Sequence, residues 1–426
     1  MPKILLINPP IYDFCAYDFW LKPYGLLKIG GFLREKAELE LFDFLDRCHD
    51  FSKKHNLRSD NYNRGKYFAQ KTERPEVFRD IPRNYQRFGL PKIIFQEWFE
   101  KQQDFDFVLL NSGMTYWYPG VKEVINEVRQ LKPGAKIILG GIYATIFPEH
   151  AENLGADLVV EGNNLKKLED FLGLKLDQEQ VPLWDAYPEL TSGVLKLTQG
   201  CPFNCTYCAS KKMCNEFNIY SLHQVLKEYD LLIAQGAKDI AFYDDALLFK
   251  PEKILLPFLT ELKKRKSQIN LHTPNALHVR YLTESLAEEM ISAGVKTFYL
   301  GIENIDYSWQ KETGIKLQVE DITKAAQILK SHGVEKKNIT AYILLGHPKS
   351  KIKDIEKTME FINNLGIKIL LSEFSPVPGT EDGDLCIKEQ DTADPLMHNK
   401  TAYTVRKYGF EEVNRLKALC KKFNNA

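Results

Sequence analysis

Cysteines stand at 201, 205 and 208 in the stretch GCPFNCTYCAS, four and three residues apart, in a chain that uses cysteine sparingly. A disulfide takes two thiols, and a structural zinc takes four ligands at regular spacing. The nearest further thiol, Cys214 in KKMCNEF, has no paired neighbour. A tight loop can also wrap three thiolates round an iron–sulfur cube and leave one iron without a protein ligand. The spacing thus admits an open cluster, a zinc site or three unrelated buried thiols, and the position of the loop favours the first.

That position follows from the elements around it. From Val194 the apolar runs VLKLT, KDIAFYDD, INLHT, KTFYLGIE, NITAYILLG and IKILLSEF alternate with amphipathic stretches such as SLHQVLKEYDLLIAQ and VEDITKAAQILKSHG. Six such units fall two short of a closed eight-stranded barrel, so a partial (β/α)6 TIM-type barrel is expected over 193–380. The cysteine loop follows its first strand and falls at the carboxyl end, where barrels place their chemistry.

An earlier α/β region precedes it. KILLINP, ELELFDF, FDFVLLNSG, AKIILGG and ADLVVEG read as strands, with PYGLLKIGGFLREK, VKEVINEVRQLK, FPEHAENLG and NNLKKLEDFLG as helices between and after them. These five units predict a flavodoxin-like doubly wound parallel sheet over 1–175, joined by a linker at 176–192, and the stretch 381–426 reads as a C-terminal helical extension. A basic insertion interrupts the first region at about 47–100. Its residues 47–92 hold twelve Lys or Arg against five Asp or Glu, with Tyr62, Tyr67, Phe68, Phe78, Tyr85 and Phe88 interleaved. A small helical insertion or lid is expected there. RNA stacking on its aromatics is one reading, and a solvated insert anchored by them is the favoured one.

Composition sets the wider frame. Lys plus Arg and Asp plus Glu balance at 57 each, and 44% of residues are hydrophobic, as in a globular protein of two or more domains. No apolar run reaches the ~18 residues that span a bilayer. A cytoplasmic protein with no membrane anchor is expected, its eight cysteines kept as thiols.

The C-x3-C-x2-C motif of Cys201, Cys205 and Cys208, with an aromatic before the last cysteine, resembles the signature of the radical S-adenosylmethionine enzymes. The resemblance implies that the three cysteines hold a 4Fe–4S cluster whose free iron chelates the methionyl group of S-adenosylmethionine. Reductive cleavage then gives a 5′-deoxyadenosyl radical. It further implies that Asp244 and Asp245 in YDDALLF receive the methionyl amino group, that Glu303 in YLGIEN accepts a ribose hydroxyl, and that Tyr207 lies against the adenine. YILLGHP and SPVPGT resemble the segments that flank the base.

The first region, with PPIYD, PYGLLKIGGFLRE and ILGGIYATIFPEHAENLGADLVVEG, resembles the cobalamin-binding domain of a large subclass of these enzymes. Gly140 and Gly141 then allow close backbone approach of the corrinoid, and Asn111, Ser112 and Gly113 line the same crevice. The D-x-H-x-x-G stretch that supplies a histidine to cobalt in many cobalamin proteins is missing, and EGNN stands where an acidic segment is usual. Tyr116, Trp117 and Tyr118 in GMTYWYPG either press on a corrin face or staple the next helix.

His272, Asn275, His278, Tyr342, His347 and Glu373 lie near expected strand ends and are candidate lumen contacts; no acid or base is assigned among them. The expected activity is a radical S-adenosylmethionine enzyme that methylates an unactivated carbon with the help of cobalamin. It would draw electrons from a donor such as flavodoxin or ferredoxin. Two rivals are a radical rearrangement, cyclisation or oxidation without cobalamin, and an RNA-binding protein with a structural iron–sulfur loop.

Overall fold

The computed structural model describes residues 1–314, 317–389 and 394–425. They gather into two compact bodies, Met1–Gly193 with Lys227–Ala237 and Ala393–Met397, and Val194–Leu226 with Lys238–Thr392 and His398–Ala426.

In the first body β1 (Lys3–Asn8), β2 (Glu38–Asp43), β3 (Phe107–Leu110), β4 (Lys136–Leu139) and β5 (Leu158–Val159) form one sheet in the order β5-β4-β3-β1-β2, with parallel registers. The alternation along β1 explains why it is covered on both faces. Leu5 and Ile7 enter a core with Phe42, Phe95, Val108 and Val124, whereas Ile4 and Leu6 enter another with Leu26, Leu109, Leu168 and Leu183. A continuous apolar run is what a strand buried on both sides requires. The helix Leu165–Leu172 is capped by the Asn164 side chain on Lys167 N and stopped by Gly173 at φ 66°. Residues 176–192 pack back on this body, with Trp184 and Tyr187 fully buried and the Tyr187 hydroxyl donating to Asp43 at 2.6 Å.

Within the insertion three short strands stand beside the helices Asp50–Lys54 and Lys92–Lys101. Ile11–Asp13, Gln86–Phe88 and Ala69–Lys71 form an antiparallel sheet, and Tyr17–Asp18 pairs with Gly65–Lys66. Two of these strands come from outside the insertion, so its own short runs carry no strand signal. Three of its arginines are engaged within the first body: Arg47 with Asp18 and the Asn63 carbonyl, Arg64 with Asp60, and Arg87 with Glu123 and the Leu90 carbonyl. Tyr67, Phe78, Tyr85 and Phe88 are buried, so those rings offer no face to a nucleic-acid base.

The second sheet contains β6 (Ser192–Leu195), β7 (Asp239–Phe242), β8 (Asn270–Leu277), β9 (Val295–Glu303), β10 (Ile339–Leu345) and β11 (Lys368–Glu373), paired in strict chain order. A sheet that never reverses its order, with a helix after each strand, is a partial barrel. The edge strand β11 is closed by the helix Phe410–Asn425, whose Asn424 side chain both accepts from Ile369 N and donates to Ile369 O, each at 2.8 Å. That contact satisfies backbone groups an open edge would leave free. Among the described residues no helix is long and apolar enough to cross a membrane.

Candidate active site

The loop after β6 is pressed into place by glycines. Gly200 sits at φ 79°, and a Cβ there would lie 2.1 Å from the Glu216 carbonyl. Gly314 sits at φ 122°, where a Cβ would lie 3.2 Å from the Asn204 carbonyl. Between them Cys201 and Cys205 are half-buried and Cys208 is exposed. Burial pushes the Cys201 thiol up to about 11, with Cys208, Asp245 and Cys205 close enough to add to the effect. The three thiols and Asp245 therefore share one locality.

This donor set fits an iron–sulfur cluster. A single zinc would draw its sulfurs to within about 2.3 Å of one point. A cube takes one thiolate on each of three irons, so its cysteines stand apart. The buried Tyr207 hydroxyl sits beside Glu303, Cys205 and Cys208 without a hydrogen bond of ordinary geometry, a polar atom turned toward this locality.

Glu303 ends β9 in the left-handed region at φ 61°, inside a tight turn closed by Asn304 N donating to Ile302 O at 2.8 Å. A non-glycine residue held there is strained, and such strain concentrates at functional sites. The side chain is 9% exposed and faces Tyr207.

The paired aspartates separate. Asp245 is exposed beside Cys201. Asp244 is buried and accepts from Leu197 N, Thr198 N and the Thr198 hydroxyl, so its carboxylate is spent on the chain leading into the cysteine loop.

Several lumen candidates are likewise committed. His272 is fully buried between Thr297 (2.9 Å) and Asp239 (3.0 Å). Glu373 holds Lys417 and accepts from the Thr401 hydroxyl, both from the C-terminal helices. Tyr342 donates to the Pro274 carbonyl at 3.0 Å. His278 packs on Phe203 of the cysteine loop with ring centroids 4.7 Å apart, and Asn275 is exposed.

At the carboxyl edge of the first sheet a side-chain relay crosses three strands. Asn111 donates to Asn8 at 2.9 Å, and Asn8 donates to Asp43 at 2.7 Å. The strand order reverses between β1 and β3, the place where open α/β sheets bind ligands. A cavity of about 50 Å³ lies there, lined by Asn8, Pro10, Leu21, Lys22, Asn111 and Trp117 among others. Ser112 is used internally, donating to Gly140 O at 2.7 Å and accepting from Ala144 N. Gly141 is required by the chain itself: at φ 101° a Cβ would lie 2.4 Å from Ser112 O.

Gly140 has open space, its nearest neighbour 3.9 Å away, and Ile142 beside it is 42% exposed. Gly140 and Ile142 thus leave small and apolar surface just after β4. In GMTYWYPG, Tyr116 is buried and the Trp117 indole donates to Asp13 at 2.9 Å, so both anchor the helix that follows.

Sequence reasoning missed Asn8, Asp43, Thr206, Trp309 and Asp382. Each is a common polar or aromatic residue whose partner lies tens of residues or more away, which leaves no local signal.

Comparison with known proteins gives two family matches, the Radical SAM superfamily over residues 195–362 and the B12 binding domain over 98–171. The chain is similar to the threonylcarbamoyladenosine tRNA methylthiotransferase MtaB of Thermotoga maritima, 25% identical over 61% of this chain and 64% of that protein. It is also similar to an uncharacterized methyltransferase of Pyrococcus horikoshii, 23% identical over 53% of this chain and 52% of that one. The chain thus spans less than two thirds of the length of each of these relatives. Among solved structures its fold is shared by the radical S-adenosylmethionine methyltransferase TsrM of Kitasatospora setae with cobalamin and a [4Fe-4S] cluster bound. The TM-score there is 0.67 at 14% identity, over 98% of this chain and 91% of that one. The cobalamin-dependent S-adenosylmethionine radical enzyme OxsB shares it with a TM-score of 0.55 at 13% identity, over 99% of this chain and 61% of that one.

Proposed function

The chain belongs to the radical SAM superfamily and carries a B12-binding domain ahead of its barrel, and from this premise we propose that it methylates an unactivated carbon. The observation that carries the reading is the sharing of one strand-end locality by Cys201, Cys205, Cys208, Asp245, Tyr207 and Glu303. Bound there, a 4Fe–4S cluster and S-adenosylmethionine supply the one-electron chemistry that opens inert C–H bonds, and a corrinoid in the first body supplies a transferable methyl group.

The chain's own residues bind, orient and exclude water. The three thiols hold the cluster, each giving up its proton to do so. Asp245, exposed and adjacent, is placed to accept an ammonium group, and Glu303 to accept a hydroxyl. Tyr207, packed 5.8 Å from the Trp309 ring, presents an aromatic wall. In the first body the Gly140 and Ile142 rim offers a flat shelf to the corrin, and the Asn111–Asn8–Asp43 relay offers polar atoms at the sheet edge. A reductant such as flavodoxin or ferredoxin supplies the electron, in keeping with a reducing, cytoplasmic setting for eight free cysteines.

Anaerobic reconstitution, followed by incubation with S-adenosylmethionine and dithionite, tests the reading. Release of 5′-deoxyadenosine that disappears in Cys205→Ala supports it, and absence of that product from a fully reconstituted wild type refutes it. A corrin absorbance band in protein from cobalamin-replete cells supports methylation. An iron–sulfur spectrum alone points to a radical reaction of another outcome.

A further inference from the structure

A buried polar network touches the cysteine loop and takes no part in the chemistry proposed above. Thr206, between Cys205 and Cys208, donates its hydroxyl to Asp382 Oδ2, and its carbonyl accepts from Asp382 N at 3.2 Å. Asp382 is fully buried near the start of the helix Glu381–Glu389, after the last barrel strand. The same carboxylate oxygen lies 3.0 Å from His347 Nε2, and the Lys349 ammonium lies 2.9 Å from its other oxygen.

His347 is oriented in turn. The Trp309 indole N–H donates to His347 Nδ1 at 3.0 Å. An indole can only donate, so Nδ1 is the acceptor and the imidazole carries its proton on Nε2, pointed at Asp382. Trp309 and His347 also pack on Tyr207, with ring centroids 5.8 and 5.7 Å away. Burial alone would raise the Asp382 carboxyl, but hydrogen bonds from His347, Thr206 and Lys349 hold it down at about 2. Burial keeps His347 below its ordinary value. An anionic carboxylate and a neutral, single-tautomer imidazole therefore face each other at neutral pH.

The loop has further contacts on this side. Thr206 N reaches Thr313 O at 3.3 Å, and Cys208 N reaches Cys205 O at 3.1 Å, while Asn204 and Cys208 are exposed. Two hydrogen bonds with one buried charged residue therefore tie down the segment between the second and third cysteines.

We propose that Asp382, oriented by His347 and Trp309, is a positioning residue that presets the cysteine loop for cluster uptake through Thr206, a role that rests on the radical SAM assignment. Its action is indirect: it reaches the thiols through the backbone of Thr206. Outer partners of this kind hold ligands in productive geometry, and their loss costs about 10- to 100-fold in metal retention.

The test compares wild type, Thr206→Val, Thr206→Ser and Asp382→Asn after anaerobic reconstitution. Readouts are iron and sulfide per chain, the rate of iron release to a chelator, the electron paramagnetic resonance spectrum of the reduced cluster and the melting temperature of the apo-protein. Thr206→Val keeps the shape of the side chain and removes only its hydroxyl. It should release iron about 10- to 100-fold faster, with an altered spectrum and a nearly unchanged apo melting temperature. Asp382→Asn should also release iron faster, with a lower apo melting temperature because the Lys349 ammonium loses its buried partner, and Thr206→Ser should hold iron like the wild type. Wild-type retention and spectrum in both Thr206→Val and Asp382→Asn would overturn the proposal, as would equal loss in Thr206→Ser and Thr206→Val. A wild type that takes up no cluster would overturn the radical SAM assignment itself, a result separate from either of these.

Discussion

Asp244 Oδ1 accepts from both the amide and the hydroxyl of Thr198, each at 2.6 Å, and Leu197 N adds a third donor at 3.1 Å. The carboxylate two residues past β7 thus fixes the chain just before Cys201. Removing it strands three buried donors, so Asp244→Ala should destabilise the apo-protein by about 3 kcal/mol or more, measurable as a lower midpoint in urea.

The same carboxyl gives a pH signature. Burial raises it to about 6, against the pull of the Thr198 and Leu197 hydrogen bonds. A folded-state value above the unfolded one of about 3.9 means that its contribution is full below that pH and is lost as pH rises through 6. The melting temperature should therefore contain a component that declines between about pH 4 and pH 6. Asp244→Asn should flatten it in scanning calorimetry.

Glu303 carries strain that glycine would relieve. Returning φ 61° to a residue without a Cβ recovers about 1 kcal/mol, which offsets the packing that leaves with the side chain. The apo-protein of Glu303→Gly should melt within a few degrees of wild type, yet bind S-adenosylmethionine several-fold more weakly by calorimetry. Full affinity in that variant would remove Glu303 from the site.

Gly140 and Gly141 should respond in opposite ways. A Cβ at Gly141 meets Ser112 O at 2.4 Å in a left-handed conformation, so Gly141→Ala should unfold in less urea than wild type. At Gly140 the nearest atom is 3.9 Å away, so Gly140→Leu should leave the urea midpoint in place and lower cobalamin uptake, read from corrin absorbance per chain.

Arg87 and Glu123 join the insertion to the sheet-covering helix at distances of 2.7 to 3.2 Å, with both side chains largely buried. Breaking a buried pair from one side costs about 3–5 kcal/mol. Arg87→Ala should lose that much stability, and wild-type protein should show no salt-steep RNA affinity. Strong RNA binding that falls sharply with salt would reverse this reading of the insertion.

Much of the architecture is legible because it is written in local periodicity. The apolar runs at Lys3–Asn8, Phe107–Leu110 and Ile339–Leu345 are strands because residues buried on both faces must all be apolar. The thiols at 201, 205 and 208 are legible for another reason, that a loop ligand set has to be close in sequence. The strands of the insertion are not legible, because Gln86–Phe88 is the centre of a sheet whose outer strands are the three-residue Ala69–Lys71 and Ile11–Asp13, the latter more than seventy residues away and announced by no local pattern.

By itself the sequence determined the order of elements, the two α/β regions and the identity of the thiol donors, since each depends on neighbours within one turn or one strand. Tertiary structure alone decided what the polar residues do. It spent Asp244 on Thr198, left Asp245 to face Cys201, turned Ser112 inward and brought Asp382 against Thr206, 176 residues away. A buried carboxylate takes whichever donors the packed chain presents, and those donors exist only once the distant strands and helices have met.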